Sequence, residues 1–217
     1  MIGTSNIHPT AIIHESAIIG RNNEIGAFVV IHSGVELGDN NYISPHVIIG
    51  EPPEHREEFW NREGIIRIGD DNVIRENVVI QKPIGKMTGI GNGNFLMAGT
   101  HIAHDCLVGN KNNLSAKVTL GGHVVIENLA NLGMGSIIHQ KLRVSSLAMI
   151  GMGTVVTRDV AAGTLNYGVP SRCHGWNLVG LERSGFDSSL IIYTIPPNHK
   201  VEQEILVFVE SVLSGNL

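Results

Sequence analysis

The stretch IGNGNFLMAGTHIAHDCLV, residues 90–108, carries an aliphatic side chain at every sixth position: Ile90, Leu96, Ile102 and Val108. The same step of six recurs along most of the chain. Its other members are Ile7, Ile13, Ile19, Ile25, Ile31, Leu37, Ile43, Ile49, Ile68, Ile74, Ile80, Leu114, Leu120, Ile126, Leu132, Ile138, Val144, Ile150 and Val156. A period of six matches neither an α-helix nor a simple alternating strand, but it matches a coil with three short faces that each turn one aliphatic residue inward. The sequence therefore predicts an all-β solenoid, a parallel β-helix of hexapeptide repeats in which residues eighteen apart stack on neighbouring coils.

Bulk properties limit the classes of partner. The 217 residues leave room for one repeat domain and a small C-terminal region, and a composition that is 42% hydrophobic but 5% aromatic suits a narrow aliphatic axis. The net charge of −5, without a basic cluster, argues against nucleic acid as a partner. No apolar run approaches the roughly 18–20 residues that span a bilayer, and the N-terminus lacks the pattern of a secretion signal. We therefore expect a cytoplasmic protein with no transmembrane segment.

Two breaks in the six-residue step predict loops on the coil. After Ile49 the next member follows nineteen residues later, and after Ile80 the next member follows ten residues later. Insertions in a solenoid leave the coil on one side and often carry binding residues. The sequence therefore predicts loop insertions at 51–67 and 82–89, within a β-helix domain that covers residues 1–163.

The repeat ends near Val160, and the segment 164–217 is predicted to form a small helical C-terminal region. A helical pattern covers His174–Arg183, and Asn198 follows two prolines as a candidate N-cap for a final helix. One face of that helix is apolar: Val201, Ile205, Leu206, Val209, Val212 and Leu213. Because an exposed end of a β-helix leaves backbone groups unpaired, we expect this region to cover that end or a neighbouring subunit.

Histidines concentrate on one side of the predicted coil. No break occurs between residues 90 and 156, so the eighteen-residue spacing places the hexads that begin at Ile102, Leu120 and Ile138 directly above one another. Four imidazoles, one carboxylate and two glycines gather there on a patch roughly 10–15 Å high. We call this set the histidine column: His101, His104, Asp105, Gly121, Gly122, His123, His139 and Gln140.

These residue types suit general-base catalysis. A neutral imidazole takes a proton from an alcohol or amine near neutral pH, and Asp105 would fix its tautomer and stabilise the imidazolium. The glycines leave room for a substrate, and their N–H groups suit an oxyanion. The histidine column contains no serine or cysteine nucleophile, and Cys106 falls in a register of small packed residues, so a single-step transfer is the simpler reaction. Two other interpretations stay open: an imidazole ladder on a scaffold without catalytic function, and a zinc site of the γ-carbonic anhydrase type.

Four segments carry a resemblance to a known family: HIAHDCLVGN at 101–110, LGGHV at 120–124, IHQ at 138–140 and WNLVGLERSGF at 176–186. They resemble the UDP-N-acetylglucosamine O-acyltransferases that begin lipid A biosynthesis, and the likeness covers nearly the whole chain. The resemblance implies a left-handed β-helix and a homotrimer with clefts between adjacent subunits. It also implies transfer of a 3-hydroxyacyl chain from acyl carrier protein to the 3-hydroxyl of the sugar. The acyl chain would arrive on the phosphopantetheine arm as a substrate, and no cofactor or metal is expected.

The resemblance also implies roles for individual residues. His104 would be the general base, Asp105 its partner, and the amide of Gly122 the oxyanion donor. The residues that would position nucleotide sugar and acyl donor are His101, His123, His139, Gln140, Asn177 and Arg183. Met152 stands where the family sets the length of the acyl chain, and its bulk predicts a shortened acyl slot.

The sequence departs from that family on the acceptor side. Glu54–Phe59 replaces a loop that helps to bind the nucleotide sugar, and Gln81 replaces a histidine. Fewer N-terminal coils and a smaller helical tail also distinguish the sequence from typical members. These changes leave a second acyl transfer open, namely O- or N-acylation of another nucleotide sugar with acyl carrier protein or a coenzyme A thioester as the donor.

Overall fold

A computed structural model of the protein describes residues 5–58, 60, 63–191 and 194–215, so that part of the predicted loop 51–67 lies outside the described residues. About nine turns of a left-handed parallel β-helix make up most of the chain, and helices follow. Each turn contributes short strands to three parallel sheets, which we call A, B and C. This architecture confirms the fold class that the six-residue period predicts.

The strands are mostly two residues long and pair with the equivalent strands of the turns above and below. Sheet A contains β1 (Asn6–Ile7), β4 (Glu24–Ile25), β7 (Tyr42–Ile43), β10 (Val73–Ile74), β13 (Phe95–Leu96), β16 (Asn113–Leu114), β19 (Asn131–Leu132), β22 (Met149–Ile150), β24 (Thr164–Tyr167) and β25 (Arg172–Trp176). Sheet B contains β2 (Ile12–Ile13), β5 (Val30–Ile31), β8 (Ile48–Glu51), β11 (Val79–Gln81), β14 (His101–Ile102), β17 (Thr119–Leu120), β20 (Ile137–Ile138) and β23 (Val155–Val156). Sheet C contains β3 (Ile18–Ile19), β6 (Val35–Leu37), β9 (Ile65–Ile68), β12 (Met87–Ile90), β15 (Leu107–Val108), β18 (Val125–Ile126) and β21 (Arg143–Val144).

The aliphatic positions of the six-residue step form the core of the coil. From Ile25 to Val156, all of them are at most 3% exposed. Ile7 is 44% exposed, because β1 pairs with a strand on one side and not on the other. Full burial of one such side chain contributes about 1.5–3 kcal/mol. The stack of Ile, Leu and Val side chains therefore stabilises a coil whose individual strands are too short to be stable alone.

Both breaks in the repeat are loops, but the loops are shorter than predicted. Leu37 pairs with Ile68, and Ile68 pairs with Ile90, so the stacking of the coil is kept across both insertions. Strand β9 begins three residues before Ile68, and strand β12 begins three residues before Ile90. In both strands the three added residues extend the ladder of sheet C. The ends of the predicted intervals 51–67 and 82–89 are therefore strand.

The segment after residue 163 is not purely helical, and the helix predicted at His174–Arg183 begins later. Thr164–Tyr167 extends sheet A next to β22, and Arg172–Trp176 turns back antiparallel to it. This pairing satisfies the backbone groups of the returning segment, so residues 174–176 are strand and not the start of the predicted helix. Helix α1 spans Leu178–Ser184.

The final helix agrees with its prediction. Helix α2 spans His199–Ser214, and the side-chain oxygen of Asn198 accepts a hydrogen bond from the N–H of Val201. A 3₁₀ turn at Ser188–Leu190 lies between the two helices. Both helices pack on the last turns of the coil through one cluster: Leu147, Ala162, Trp176, Leu181, Phe186, Ile191, Val201, Ile205 and Val209. The helical tail thus packs against the corner between sheets C and A of the last turns. Within the described residues, no helix is both long and apolar enough to cross a membrane.

Candidate active site

The histidine column lies at the corner where the chain passes from sheet B to sheet C. Strands β14, β17 and β20 pair in register at this corner, so His104, Gly122 and Gln140 form one row. The N–H of His123 donates to the carbonyl of His104 at 3.0 Å, and the N–H of Lys141 donates to the carbonyl of Gly122 at 2.9 Å. These bonds confirm the eighteen-residue stacking that the sequence predicts.

His104 and Asp105 form a hydrogen-bonded pair. Nδ1 of His104 lies 2.9 Å from Oδ2 of Asp105, and the two side chains are 13% and 9% exposed. The carboxylate also accepts the N–H of Ile84 at 2.9 Å and the N–H of Gly85 at 2.8 Å. Because an ionised carboxylate can only accept, the hydrogen-bond network assigns the proton of His104 to Nδ1 and leaves a lone pair on Nε2. A general base needs this tautomer.

The surroundings of Asp105 favour its ionised form. Burial opposes ionisation, but hydrogen bonds from His104, Ile84 and Gly85 and the positive charge that His123 can carry outweigh it, so the pKa of Asp105 lies below its ordinary value of 3.8. Nε2 of His123 lies 3.9 Å from Oδ2 of Asp105, and its ring meets that of His104 edge to face with centroids 5.1 Å apart. Asp105 is therefore negatively charged at neutral pH.

Gly122 completes the group around His104. A Cβ on Gly122 would overlap the imidazole ring of His104, so glycine at this position leaves the ring its space. Gly122 is buried, and among the described residues its N–H has no hydrogen-bond acceptor. Next to a candidate base, such an amide is suited to bind an oxyanion.

The first inserted loop, which follows β8, brings Glu54 and His55 to the histidine column. The sequence predicts only that this loop differs from the corresponding loop of the family that it resembles. Oε2 of Glu54 lies 3.7 Å from Nε2 of His101, and the ring of His55 meets that of His104 at a right angle with centroids 6.2 Å apart. The side chain of Gln81 is buried and accepts the N–H of Glu54 at 3.3 Å, which ties the loop to sheet B. Two prolines before Glu54 predict a stiff loop, but no sequence pattern indicates the direction in which it points.

The upper part of the histidine column is open to solvent. His139 and Gln140 are exposed, and Nδ1 of His139 lies 3.2 Å from the carbonyl oxygen of Gln140. Gly121 lies directly against this turn, since a Cβ there would be 2.8 Å from the backbone nitrogen of Gln140. Both side chains are accessible to a ligand that approaches the same corner as His104.

Three of the predicted site residues lie at other corners of the coil. Asn177 caps α1 by accepting a backbone N–H at 3.2 Å, and its Nδ2 donates at 2.9 Å to a carbonyl at the corner between sheets C and A. Arg183 and Asn177 both line a groove between helix α1 and this corner. Met152 is 77% exposed at the corner between sheets A and B. A single chain therefore does not bring these three residues to the His104–Asp105 pair.

The histidine column also offers a set of metal ligands. His104, Asp105 and His123 each provide one ligand atom, and these atoms lie within 4.8 Å of one another. Two imidazoles and a carboxylate form a ligand set that suits zinc. An imidazole bound to a metal is not free to act as a base, so the two chemistries exclude each other at His104.

Cys106 is a packed residue of the coil, as its register predicts. Its side chain is fully buried, and Sγ lies 3.2 Å from the carbonyl oxygen of Gly121. Burial raises the pKa of the Cys106 thiol to about 12. Because the thiolate is the nucleophilic form of cysteine, Cys106 does not act as a nucleophile at neutral pH.

Known proteins are similar to this chain over nearly its whole length. A family model described as bacterial transferase hexapeptide (six repeats) matches residues 16–51. An acyl-[acyl-carrier-protein]–UDP-N-acetylglucosamine O-acyltransferase from Rickettsia bellii is 47% identical over 95% of this chain and 79% of its own length. The solved UDP-N-acetylglucosamine acyltransferase from Campylobacter jejuni is 31% identical, with a TM-score of 0.72 over 85% of this chain and 80% of its own. The solved LpxA from Acinetobacter baumannii is 28% identical, with a TM-score of 0.77 over 97% of this chain and 90% of its own. The chain is an acyltransferase and belongs to the UDP-N-acetylglucosamine O-acyltransferase family.

Proposed function

We propose that this acyltransferase moves a 3-hydroxyacyl chain from acyl carrier protein to the 3-hydroxyl of UDP-N-acetylglucosamine. The observation that carries the mechanism is the hydrogen bond between His104 and Asp105, with Gly122 against the same imidazole. The name of the Rickettsia bellii relative, which is 47% identical, supports the choice of donor and acceptor.

His104 acts as the general base in this mechanism. Its Nε2 takes the proton of the sugar hydroxyl while the oxygen attacks the thioester carbonyl carbon, and Asp105 stabilises the imidazolium that forms. The tetrahedral intermediate collapses with cleavage of the C–S bond, and the imidazolium returns its proton to the leaving thiolate. The products are the sugar ester and the free thiol of the carrier, and no residue of the enzyme is acylated.

The N–H of Gly122 binds the oxyanion of the tetrahedral intermediate. Its lack of a hydrogen-bond acceptor among the described residues supports this role. A donor held in place before the reaction needs no reorganisation when charge develops, and removal of one such donor in other enzymes costs roughly 10²–10³ in kcat.

The remaining predicted residues bind substrates. His101, His123, His139 and Gln140 would position them at the corner between sheets B and C. Asn177, Arg183 and Met152 would reach the same substrates from a neighbouring subunit of a homotrimer, since one chain places them at other corners. Apolar side chains on the outer face of sheet B support such an interface, because Ile12 and Ile137 are 66% and 46% exposed in a single chain.

The first loop favours a second candidate acceptor. The carboxylate of Glu54 lies 3.7 Å from His101, on the acceptor side of the predicted site. A carboxylate suits an amino group of a sugar better than the acetamido group of N-acetylglucosamine. The alternative is therefore O- or N-acylation of another nucleotide sugar, with acyl carrier protein or coenzyme A as the acyl donor.

A transfer assay tests these proposals. Wild type and His104→Ala would be given UDP-N-acetylglucosamine and a panel of acyl carrier protein and coenzyme A thioesters, with thiol release and product mass as readouts. We expect acylation by wild type and a loss of about 10²–10⁴-fold in His104→Ala, the usual contribution of a general base. His14→Ala, at an exposed histidine of another turn, is the matched control and should keep wild-type turnover.

Two outcomes would redirect the proposal. Transfer to an amino-sugar nucleotide but not to UDP-N-acetylglucosamine would establish the second acceptor. Loss of activity in a chelator, restored by zinc, would assign His104, Asp105 and His123 to a metal and would contradict the general-base mechanism.

A further inference from the structure

The second loop of the coil, residues 82–86, directs its backbone at Asp105. The N–H of Ile84 donates to Oδ2 at 2.9 Å, and the N–H of Gly85 donates to Oδ1 at 2.8 Å. Each carboxylate oxygen therefore has a backbone donor, while Oδ2 also accepts from Nδ1 of His104. The loop therefore binds both carboxylate oxygens of Asp105.

The strand after this loop holds the backbone of the same residue. Thr88 is fully buried in β12, and its hydroxyl oxygen accepts the N–H of Asp105 at 2.9 Å. Asp105 has a φ of 58°, in the left-handed region. That conformation costs a residue other than glycine roughly 1–2 kcal/mol and persists where the surrounding structure enforces it.

The close approach of Gly85 to Asp105 is a steric constraint that acts together with these hydrogen bonds. A Cβ on Gly85 would lie 2.7 Å from Oδ1 of Asp105, which is closer than a side-chain carbon normally approaches an oxygen. The longer spacing between the paired residues Ile68 and Ile90 gives the loop enough chain to reach the carboxylate. Both the length of the loop and its glycine are thus needed for the contact with Asp105.

We propose that Ile84, Gly85 and Thr88 form a positioning element for the catalytic pair. They fix Asp105 so that Oδ2 meets Nδ1 of His104, and His104 in turn presents Nε2 to the acceptor hydroxyl. The inference rests on the proposed function, in which Asp105 orients the base. Thr88 acts through Asp105 and does not touch the substrate.

Substitutions of Thr88 test the inference. Thr88→Val keeps the shape of the side chain but leaves the N–H of Asp105 without its acceptor, and Thr88→Ser keeps the acceptor. We expect Thr88→Val to lower kcat by about 10-fold to 100-fold, because a small misplacement of a catalytic group has effects of that size, with KM for the nucleotide sugar within about two-fold. Thr88→Ser should restore most of the turnover. Lys86→Ala, at an exposed position in the same loop, should behave like wild type.

A double substitution separates positioning from a general structural effect. In an Asp105→Asn enzyme, Thr88→Val should lower kcat by less than about two-fold more, because residues that act through one group are not additive. An equal loss in both backgrounds would assign Thr88 to structure alone and overturn the inference. Gly85→Ala, which crowds Oδ1 from the other side, should show the same dependence on Asp105.

The failure of this inference differs from the failure of the proposed function. If Asp105→Asn has wild-type kcat, Asp105 does not orient a base and the proposed mechanism is wrong. If Asp105→Asn is impaired while Thr88→Val and Gly85→Ala turn over like wild type, the mechanism stands and the positioning element is rejected. Thermal unfolding of each variant shows whether it is folded at the assay temperature.

Discussion

Gly122 lies one turn above His104, and its Cα is so close to the imidazole that a Cβ would overlap the ring. The register of β14 and β17 produces this contact, because it places the second residue of one corner turn directly over the second residue of the next. Gly122, which has no side chain, therefore lies between His104 and Gln140 in this row. This arrangement leaves room for a substrate at Nε2 of His104.

Gly122→Ala should disable the site without unfolding the coil. The added methyl group displaces the imidazole of His104 from its position, and a displaced base loses about 10²-fold or more in rate. The alanine keeps its N–H, so the measurement of kcat reports the lost space and not a lost oxyanion donor. Gly89→Ala is the matched control, since its Cβ would meet the ends of flexible side chains. Wild-type kcat in Gly122→Ala would contradict the placement of the reacting hydroxyl.

Stability of the protein should depend on pH through Asp105. The pKa of Asp105 is lowered in the folded state, because hydrogen bonds from His104, Ile84 and Gly85 outweigh the opposing effect of burial. The ionised carboxylate therefore contributes stability above pH 3.8, and this contribution is lost as the pH falls through the lower folded-state pKa. The measurement is the difference in unfolding free energy between wild type and Asp105→Asn as a function of pH. A difference that stays constant on acidification below pH 3.8 would be inconsistent with this assignment.

The two cysteines should differ strongly in reactivity. Cys106 is buried with a thiol pKa of about 12, whereas Cys173 is exposed. At pH 8 an alkylating reagent should modify one cysteine in the native protein and both in denaturant, as read by peptide mass spectrometry. Cys106→Ala should keep its transferase activity, since the proposed reaction forms no acyl-enzyme. Rapid native alkylation at Cys106 would mean that the coil opens at this turn.

Met152→Gly should shift acyl selectivity towards longer chains. The side chain is 77% exposed at the corner between sheets A and B, so its removal is expected to change stability by no more than about 0.5 kcal/mol. Competition among thioesters of different chain length measures the preference directly. Met152→Leu keeps the bulk and should retain the preference of wild type. Identical selectivity of the glycine and leucine variants would refute the assignment of Met152 to the acyl slot.

Mixed oligomers should recover activity if each site is shared between subunits. Arg183 lies in the groove between sheets C and A, away from the His104 corner of its own chain. Coexpression of His104→Ala subunits with Arg183→Ala subunits should therefore create some sites that have both residues. A mixture of His104→Ala with Asp105→Asn should stay inactive, because these residues adjoin in one chain. If a stable mixed oligomer recovers no transferase activity, Arg183 either acts in the same site as His104 of its own chain or lies outside the active site.

The coil could be predicted from sequence because its geometry is repetitive. Each face of a turn accepts one aliphatic residue, so an interruption of the six-residue step indicates an insertion. Both insertions lie where the step is interrupted. The same regularity places Gly122 and Gln140 above His104. The start of the helix predicted at His174–Arg183 was wrong, because residues 174–176 are strand through their pairing with β24 and not through a pattern of their own.

The contacts of the loops could not be predicted in the same way. Glu54 and His55 approach the histidine column, and Ile84 and Gly85 donate to Asp105, yet none of these residues lies in the repeat. The direction of a loop depends on what it packs against, and this information is absent from its own composition. Of these contacts, the sequence indicated only that the loops exist and roughly where they leave the coil.

The β-helix, its stacking and the family likeness of its motifs follow from the amino-acid sequence alone, because a constant number of residues per turn converts position in the chain into position in space. The tertiary structure decided which groups hold Asp105, how closely Gly122 meets His104 and that Asn177, Arg183 and Met152 lie at other corners of the chain. The physical reason is that every residue except proline carries the same backbone N–H donor. Folding of the second loop selects the amides of Ile84 and Gly85, among all of these donors, to meet the carboxylate of Asp105.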